Sequence, residues 1–153
     1  MMRASPVGRG ILQQCVATSY HIVFSVARGK PAFLNEEIDA AFKHLIRDIA
    51  RRKGWALIEL ETMPTHVHLL LEKAPWDDLR TIVGYLKGFT AHELLRRFDW
   101  LRGDLDSYGF WNPRFHYTRH TESSLADVRA YIRNQRIVGS LADIPDVPAG
   151  EGD

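Results

Sequence analysis

Apolar positions along this chain change period several times, and each change marks an element. Tyr20-His21-Ile22-Val23-Phe24-Ser25-Val26 is dense in β-branched and aromatic side chains and apolar on both faces, which predicts a central strand of a covered sheet. Gly29-Lys30-Pro31 ends it. From Asn35 the period lengthens: Ile38, Ala41, Phe42, Leu45, Ile46 and Ile49 recur at three- and four-residue steps and trace one helical stripe. Asn35 is placed to cap this helix, Glu36, Glu37 and Asp39 suit its positive end, Arg51, Arg52 and Lys53 its negative end, and Gly54 its stop.

Trp55 to Glu61 then reads as a strand, and the Thr62-Met63-Pro64-Thr65 break leads into another that runs from His66 to about Glu72. The short connection predicts a hairpin, with Pro64 outside the ladder because it has no N–H. Pro75 and Trp76 open a second helix with Leu79, Ile82, Val83 and Leu86 as its stripe, continued by Leu94, Leu95 and Phe98. Gly84 and Gly88 weaken it by up to ~1 kcal/mol each relative to Ala, a cost that suits close approach of another backbone or of a phosphate. Trp100 to Gly109 reads as a polar loop, Phe110 to Arg119 as a loop entering a fourth strand, and Ser123 or Ser124 as the cap of a last helix bearing Leu125, Val128 and Ile132. The order β-α-β-β-α-β plus a C-terminal helix predicts an α+β, ferredoxin-like (RRM-like) antiparallel sheet with helices on one face and the other open to a ligand.

Length and composition fit one domain, with 45% apolar and 25% charged residues in 153. Its expected extent is residues 15–139, between a flexible leader (1–14) and an acidic, disordered tail (140–153). Overall charge is +1, but Asp143, Asp146, Glu151 and Asp153 lie in the tail and only Arg3 and Arg9 in the first fifteen residues. The middle is therefore mildly basic and holds all seven histidines, which permits an anionic partner. A single cysteine, Cys15, excludes an internal disulfide and a Cys-rich zinc site. No apolar run reaches the ~18 residues of a membrane span, and no signal-peptide core is present, so the expected location is cytoplasmic.

Candidate chemistry concentrates in Met63-Pro64-Thr65-His66-Val67-His68-Leu69-Leu70-Leu71. Side chains at i and i+2 of a strand share a face, so His66 and His68 point together while Val67, Leu69 and Leu71 point away. Two imidazoles on one rigid strand make half of a metal site. In the last helix Tyr131 and Gln135 stand at i and i+4, on one face beside the Leu125/Val128/Ile132 stripe. A tyrosine hydroxyl can serve as a covalent nucleophile and an amide oxygen as a ligand to a hard metal.

Five blocks, taken in order, resemble the HUH single-tyrosine transposases of the insertion-sequence 200/605 group. They are His21-Ile22-Val23-Phe24-Ser25, the Met63 to Leu71 block, Leu86-Lys87-Gly88, Trp111-Asn112-Pro113, and Tyr131 to Gln135. The resemblance spans about residues 18–138. It implies a metal-dependent transposase that cuts and rejoins single-stranded DNA through a 5′-phosphotyrosine. Tyr131 would be the nucleophile, and His66, His68 and Gln135 would hold Mg²⁺ or Mn²⁺. It further implies element ends recognised as DNA hairpins, a homodimer whose active sites are shared between subunits, and phosphate contacts drawn from Lys87, Arg96, Arg97, Arg114 and Arg119.

Two positions depart from the family's pattern. Thr65 stands where an Asp commonly precedes the first histidine, and Val26-Ala27 replace basic and aromatic residues after the first strand's serine. Alternative readings are a domesticated or inactive HUH nuclease, or a non-catalytic ferredoxin-like nucleic-acid-binding module. Outside the resemblance, His21, His44, His92, His116 and His120 read as structural or surface groups, and Trp55, Trp76, Trp100 and Trp111 chiefly as core or loop anchors.

Overall fold

The computed structural model describes residues 18–73, 78–105, 109–120, 124–135 and 149–152. The elements are β1 (Thr18–Ser25), α1 (Glu36–Lys53), β2 (Ala56–Thr62), β3 (His66–Lys73), α2 (Leu79–Arg97), α3 (Leu101–Leu105), β4 (Phe115–His120), α4 (Leu125–Arg133) and β5 (Ala149–Gly152). They form one five-stranded sheet in the order β2-β3-β1-β4-β5, antiparallel at every pairing. The α+β order and the antiparallel sheet follow the sequence pattern.

Local chemistry explains the helix ends. The Asn35 side chain accepts from the backbone N–H groups of Glu37 and Ile38, and Gly54 takes the left-handed conformation (φ 75°) that closes α1. Asp78 caps α2 by accepting from the Thr81 N–H, so the described helix begins after Trp76. Pro75 and Trp76 themselves lie outside the described residues, as do the leader and residues 140–148 of the tail. Two elements differ from expectation. Leu101 and Leu105, one turn apart, are both buried, and that paired burial turns part of the supposed polar loop into α3. Residues 149–152, expected in the tail, pair along β4 as β5, because a ladder needs only backbone groups and tolerates the glycines at 150 and 152 at an edge.

Register assigns the two faces. Phe24 lies opposite Val67, and Ile22 opposite Leu69; these join Phe42, Ile46, Ile82, Val83 and Leu86 in the main core beneath α1 and α2. Ser25, Val23 and His21 lie opposite His66, His68 and Leu70, on the other face. That face is not left open along its length. Leu70 packs with Val128 and Ile132 of α4, with Ile58, Leu125 and Tyr131 around them. Glu59 of β2 accepts from Arg129 Nε (2.9 Å) and Arg133 Nε (3.0 Å) at the rim of this contact. The last helix is thereby docked across β2 and β3.

The Leu86-Lys87-Gly88 and Trp111-Asn112-Pro113 blocks meet at one end of the sheet. Lys87 Nζ donates to the carbonyls of Asn112 (2.8 Å) and Arg114 (3.3 Å). Trp111 is buried and its Nε1–H donates to Thr90 Oγ1 at 3.0 Å. The Asn112 amide donates to Ser25 Oγ at 2.8 Å, and the Val26 N–H donates to the Thr65 carbonyl at 2.8 Å. Ser25 is the register partner of His66. These blocks therefore brace the strand ends from which His66 projects. At Gly84 and Gly88, by contrast, an added methyl group would meet no atom of the described residues within 4 Å, so no close approach among those residues explains them.

Candidate functional site

His66 and His68 leave β3 on the face that α4 covers, and both are buried, at 2% and 0% exposure. Their ring centroids are 5.0 Å apart. Tyr131 of α4 sets its ring edge-on to His68, with centroids 6.3 Å apart. Gln135 follows one turn later and is 1% exposed. Of the four side chains named from the sequence, His66 and His68 come from β3, Tyr131 from α4 and Gln135 from just past its end, and α4 packs on β3. The Leu70 contact and the Glu59 ion pairs dock α4 on its own sheet.

Each imidazole is held at Nδ1. His66 Nδ1 lies 3.2 Å from Thr65 Oγ1, and His68 Nδ1 lies 2.8 Å from His21 Nε2. Among the described residues, the buried side-chain nitrogen and oxygen atoms without a hydrogen-bond partner are His66 Nε2, His68 Nε2 and Gln135 Oε1. Such atoms are uncommon, and each costs about 1–3 kcal/mol if left unpaired. These three are the donors expected of a nitrogen-and-oxygen site for a divalent ion, and they fit one. The third donor is an amide: no group of three His, Cys, Asp or Glu side chains poised for a metal occurs among the described residues.

Electrostatics suit ligation. Burial, then the nearby His120, lowers the His21 pKa to about 4. Burial, then His21 and His66, pushes His68 far below the ordinary histidine range, and burial lowers His66 as well. The imidazoles are consequently neutral at pH 7, and their lone pairs are available to a cation.

The basic residues nominated for phosphate contact are not gathered at this site. Lys87 is engaged with the 112–114 backbone. Arg96 and Arg97 both pair with Glu93 on α2, on the far side of the sheet. Arg114 and Arg119 are exposed, and Arg119, opposite Tyr20 in register, projects on the face away from His68. The nearer cations are Arg129 and Arg133, half-exposed on α4; their position inside an amphipathic helix was their only sequence signal. His21 was also missed. It is 1% exposed, and its ring stacks on His68 at 5.1 Å. Strand register alone brings the two together, and single residues do not announce register. Among the tryptophans, Trp111 is a core anchor, whereas Trp100 is 54% exposed.

Comparison with known proteins bears on the family and the fold. The family model described as "Transposase IS200 like" matches residues 14–135. The chain is 32% identical over 128 residues to the ISDra2 transposase TnpA of Deinococcus radiodurans, covering 84% of this chain and 89% of that one. A candidate transposase of Deinococcus radiodurans, solved as a crystal structure, superposes with a TM-score of 0.65 at 28% identity, over 90% of this chain and all of the other. The fold is also that of a REP-associated tyrosine transposase solved with a REP hairpin (TM-score 0.54, 14% identity, 95% of this chain and 79% of that one). No helix among the described residues is long and apolar enough to cross a membrane. With four-fifths of its length matched by the family model and 32% identity to a curated relative over 128 residues, this chain belongs to the IS200-like transposases.

Proposed function

We propose that this transposase cuts and rejoins single-stranded DNA with Tyr131 as nucleophile, at a site where His66, His68 and Gln135 hold Mg²⁺ or Mn²⁺. The observation that carries the reading is the trio of buried, unpartnered acceptors, His66 Nε2 and His68 Nε2 on β3 and Gln135 Oε1 just past α4, with the Tyr131 ring edge-on to His68. An ion bound there would act as a Lewis acid on the scissile phosphate. The rest falls to the chain. The Tyr131 oxygen bonds to phosphorus, the bond from phosphorus to the 3′ oxygen breaks, and the phenolic proton ends on the released 3′-hydroxyl. The 5′-phosphotyrosine conserves the bond energy, so a 3′-hydroxyl can attack it and rejoin a strand without ATP.

Half-burial of Tyr131 beside neutral imidazoles shields part of its surface from bulk water. The substrate reading is single-stranded DNA with hairpin ends; the REP-associated structural relative was solved bound to a REP hairpin. The test uses single-stranded oligonucleotides taken from the DNA flanking the gene, with Mg²⁺ or Mn²⁺, and detects a covalent protein–DNA adduct. An adduct is expected on single strands only, lost in Tyr131→Phe and strongly reduced in His66→Ala or with a chelator. An adduct persisting in Tyr131→Phe would overturn the nucleophile assignment. Binding without cleavage on every matched sequence would favour an inactive copy or a non-catalytic module.

A further inference from the structure

His21 has no part in the chemistry above, yet it is buried at the centre of the site. Its Nε2 lies 2.8 Å from His68 Nδ1, and its ring also meets Tyr131 edge-on at 6.0 Å. We propose that His21 is a positioning residue that selects the tautomer of His68, accepting a hydrogen bond from His68 Nδ1–H and so leaving the His68 Nε2 lone pair bare toward the metal site. This rests on the reading of His66, His68 and Gln135 as ligands.

One hydrogen lies between two neutral imidazole nitrogens, so only two arrangements exist. If His21 donated, the hydrogen of His68 would sit on Nε2 as a buried N–H. It would then have no acceptor, since neither His66 Nε2 nor Gln135 Oε1 is within hydrogen-bonding reach of any partner. Orphaned buried N–H donors are rarer than orphaned acceptors. If His68 donates, all three unpartnered atoms become acceptors, an arrangement that suits one cation. The neighbouring ligand follows the same plan: His66 is tied at Nδ1 by the Thr65 hydroxyl, again with Nε2 left over. Partners at the non-ligating nitrogen characteristically set ring orientation and tautomer in metal sites.

Two measurements on the whole protein test this. In metal-free, histidine-labelled protein, two-bond ¹H–¹⁵N spectra should show His68 protonated at Nδ1. A His68 protonated at Nε2 would overturn the proposal, whatever the metal does. Mn²⁺ titration followed by electron paramagnetic resonance should show His21→Leu weakened by about 10- to 100-fold, with His21→Gln, whose amide oxygen can accept, recovering much of the loss. Equal affinity in His21→Leu and wild type would overturn the proposal, and so would a His21→Gln as weak as His21→Leu. His66→Ala reports separately on the ligand reading: Mn²⁺ affinity unchanged there would remove the metal site, while the tautomer spectrum would still judge His21.

Discussion

Glu59 Oε2 accepts from Arg129 Nε at 2.9 Å, fastening α4 to the edge strand two residues before Tyr131. Arg133, one turn on, reaches the same oxygen. The Glu59 carboxyl loses hydration on burial, and the two guanidiniums more than offset this, holding its pKa below the usual range. Both arginines are about half exposed, so solvent screens the pairs and the latch is worth about 1 kcal/mol. Glu59→Gln should lower Tm by roughly 2–4 °C and speed amide hydrogen exchange in residues 125–133 while sparing β1 and β3. Adduct formation should fall up to about tenfold through misplacement of Tyr131. Unchanged exchange in α4 would show that Leu70, Val128 and Ile132 suffice.

Gly84 supplies a test on the opposite layer. It is exposed, its φ is not in the left-handed region, and a methyl group there would touch none of the described residues. Gly84→Ala should therefore stabilise the protein by about 0.5–1 kcal/mol, chiefly by restricting the unfolded chain, read as a raised denaturation midpoint. A loss of DNA binding with raised stability would show that a phosphate approaches α2 at this point.

The contrast between Gly84 and His21 shows where sequence reading reaches and where it stops. Period and capping are local, so α1 is legible from Asn35 to Gly54, and the shared face of His66 and His68 follows from a period of two. Thr65 and Trp111 flag themselves by motif. Nothing local reveals that His21 lies opposite Leu70 and beside His68, because register is decided by the whole sheet. The same limit hid β5, whose short, glycine-containing stretch has no hydrophobic alternation, and α3, whose two leucines gain their meaning only from the core they enter. Lys87 was legible as a basic motif residue, but its bonds to the Asn112 and Arg114 carbonyls were not.

Because Leu70 and Glu59 dock α4, which carries Tyr131, on its own sheet, mixing subunits gives a definite expectation. Combining Tyr131→Phe with His66→Ala protein should yield no more adduct than the two variants measured separately. Activity restored by mixing would mean that α4 leaves its own sheet to serve a partner. In that case Glu59→Gln added to both variants should change the rate of restoration.

Acid should loosen this face of the sheet first. The folded-state pKa values of His21 (about 4), His66 and His68 are lowered below the ordinary value of 6.5. As pH falls, the unfolded chain takes up these protons before the folded one, so the stability they provide is present above about pH 6.5 and is lost as pH falls toward 4. The Glu59 carboxyl, lowered in turn, adds its loss only below the usual carboxylate range. Tm measured in chelator should therefore drop already between pH 6.5 and 5, and His21→Leu should flatten that drop. A flat wild-type profile over this interval would contradict the burial of the histidine cluster.

Thr65 is one of the two places where the sequence departs from the expected family pattern, and its contact gives it a specific task. Its hydroxyl, 3.2 Å from His66 Nδ1, is a neutral acceptor for the hydrogen that must sit there if Nε2 is to bind a metal. A carboxylate at the same position would accept that hydrogen more strongly and raise the basicity of the ring. Thr65→Asp should thus tighten Mn²⁺ binding, and Thr65→Val, which keeps the shape but removes the acceptor, should weaken it by about tenfold or more. Both are read by the same titration used for His21, and both leave Tyr131 untouched. If Thr65→Val binds Mn²⁺ as wild type does, the hydroxyl contact has no bearing on the ligand, and His66 must be oriented by the strand and by the Asn112–Ser25 brace alone.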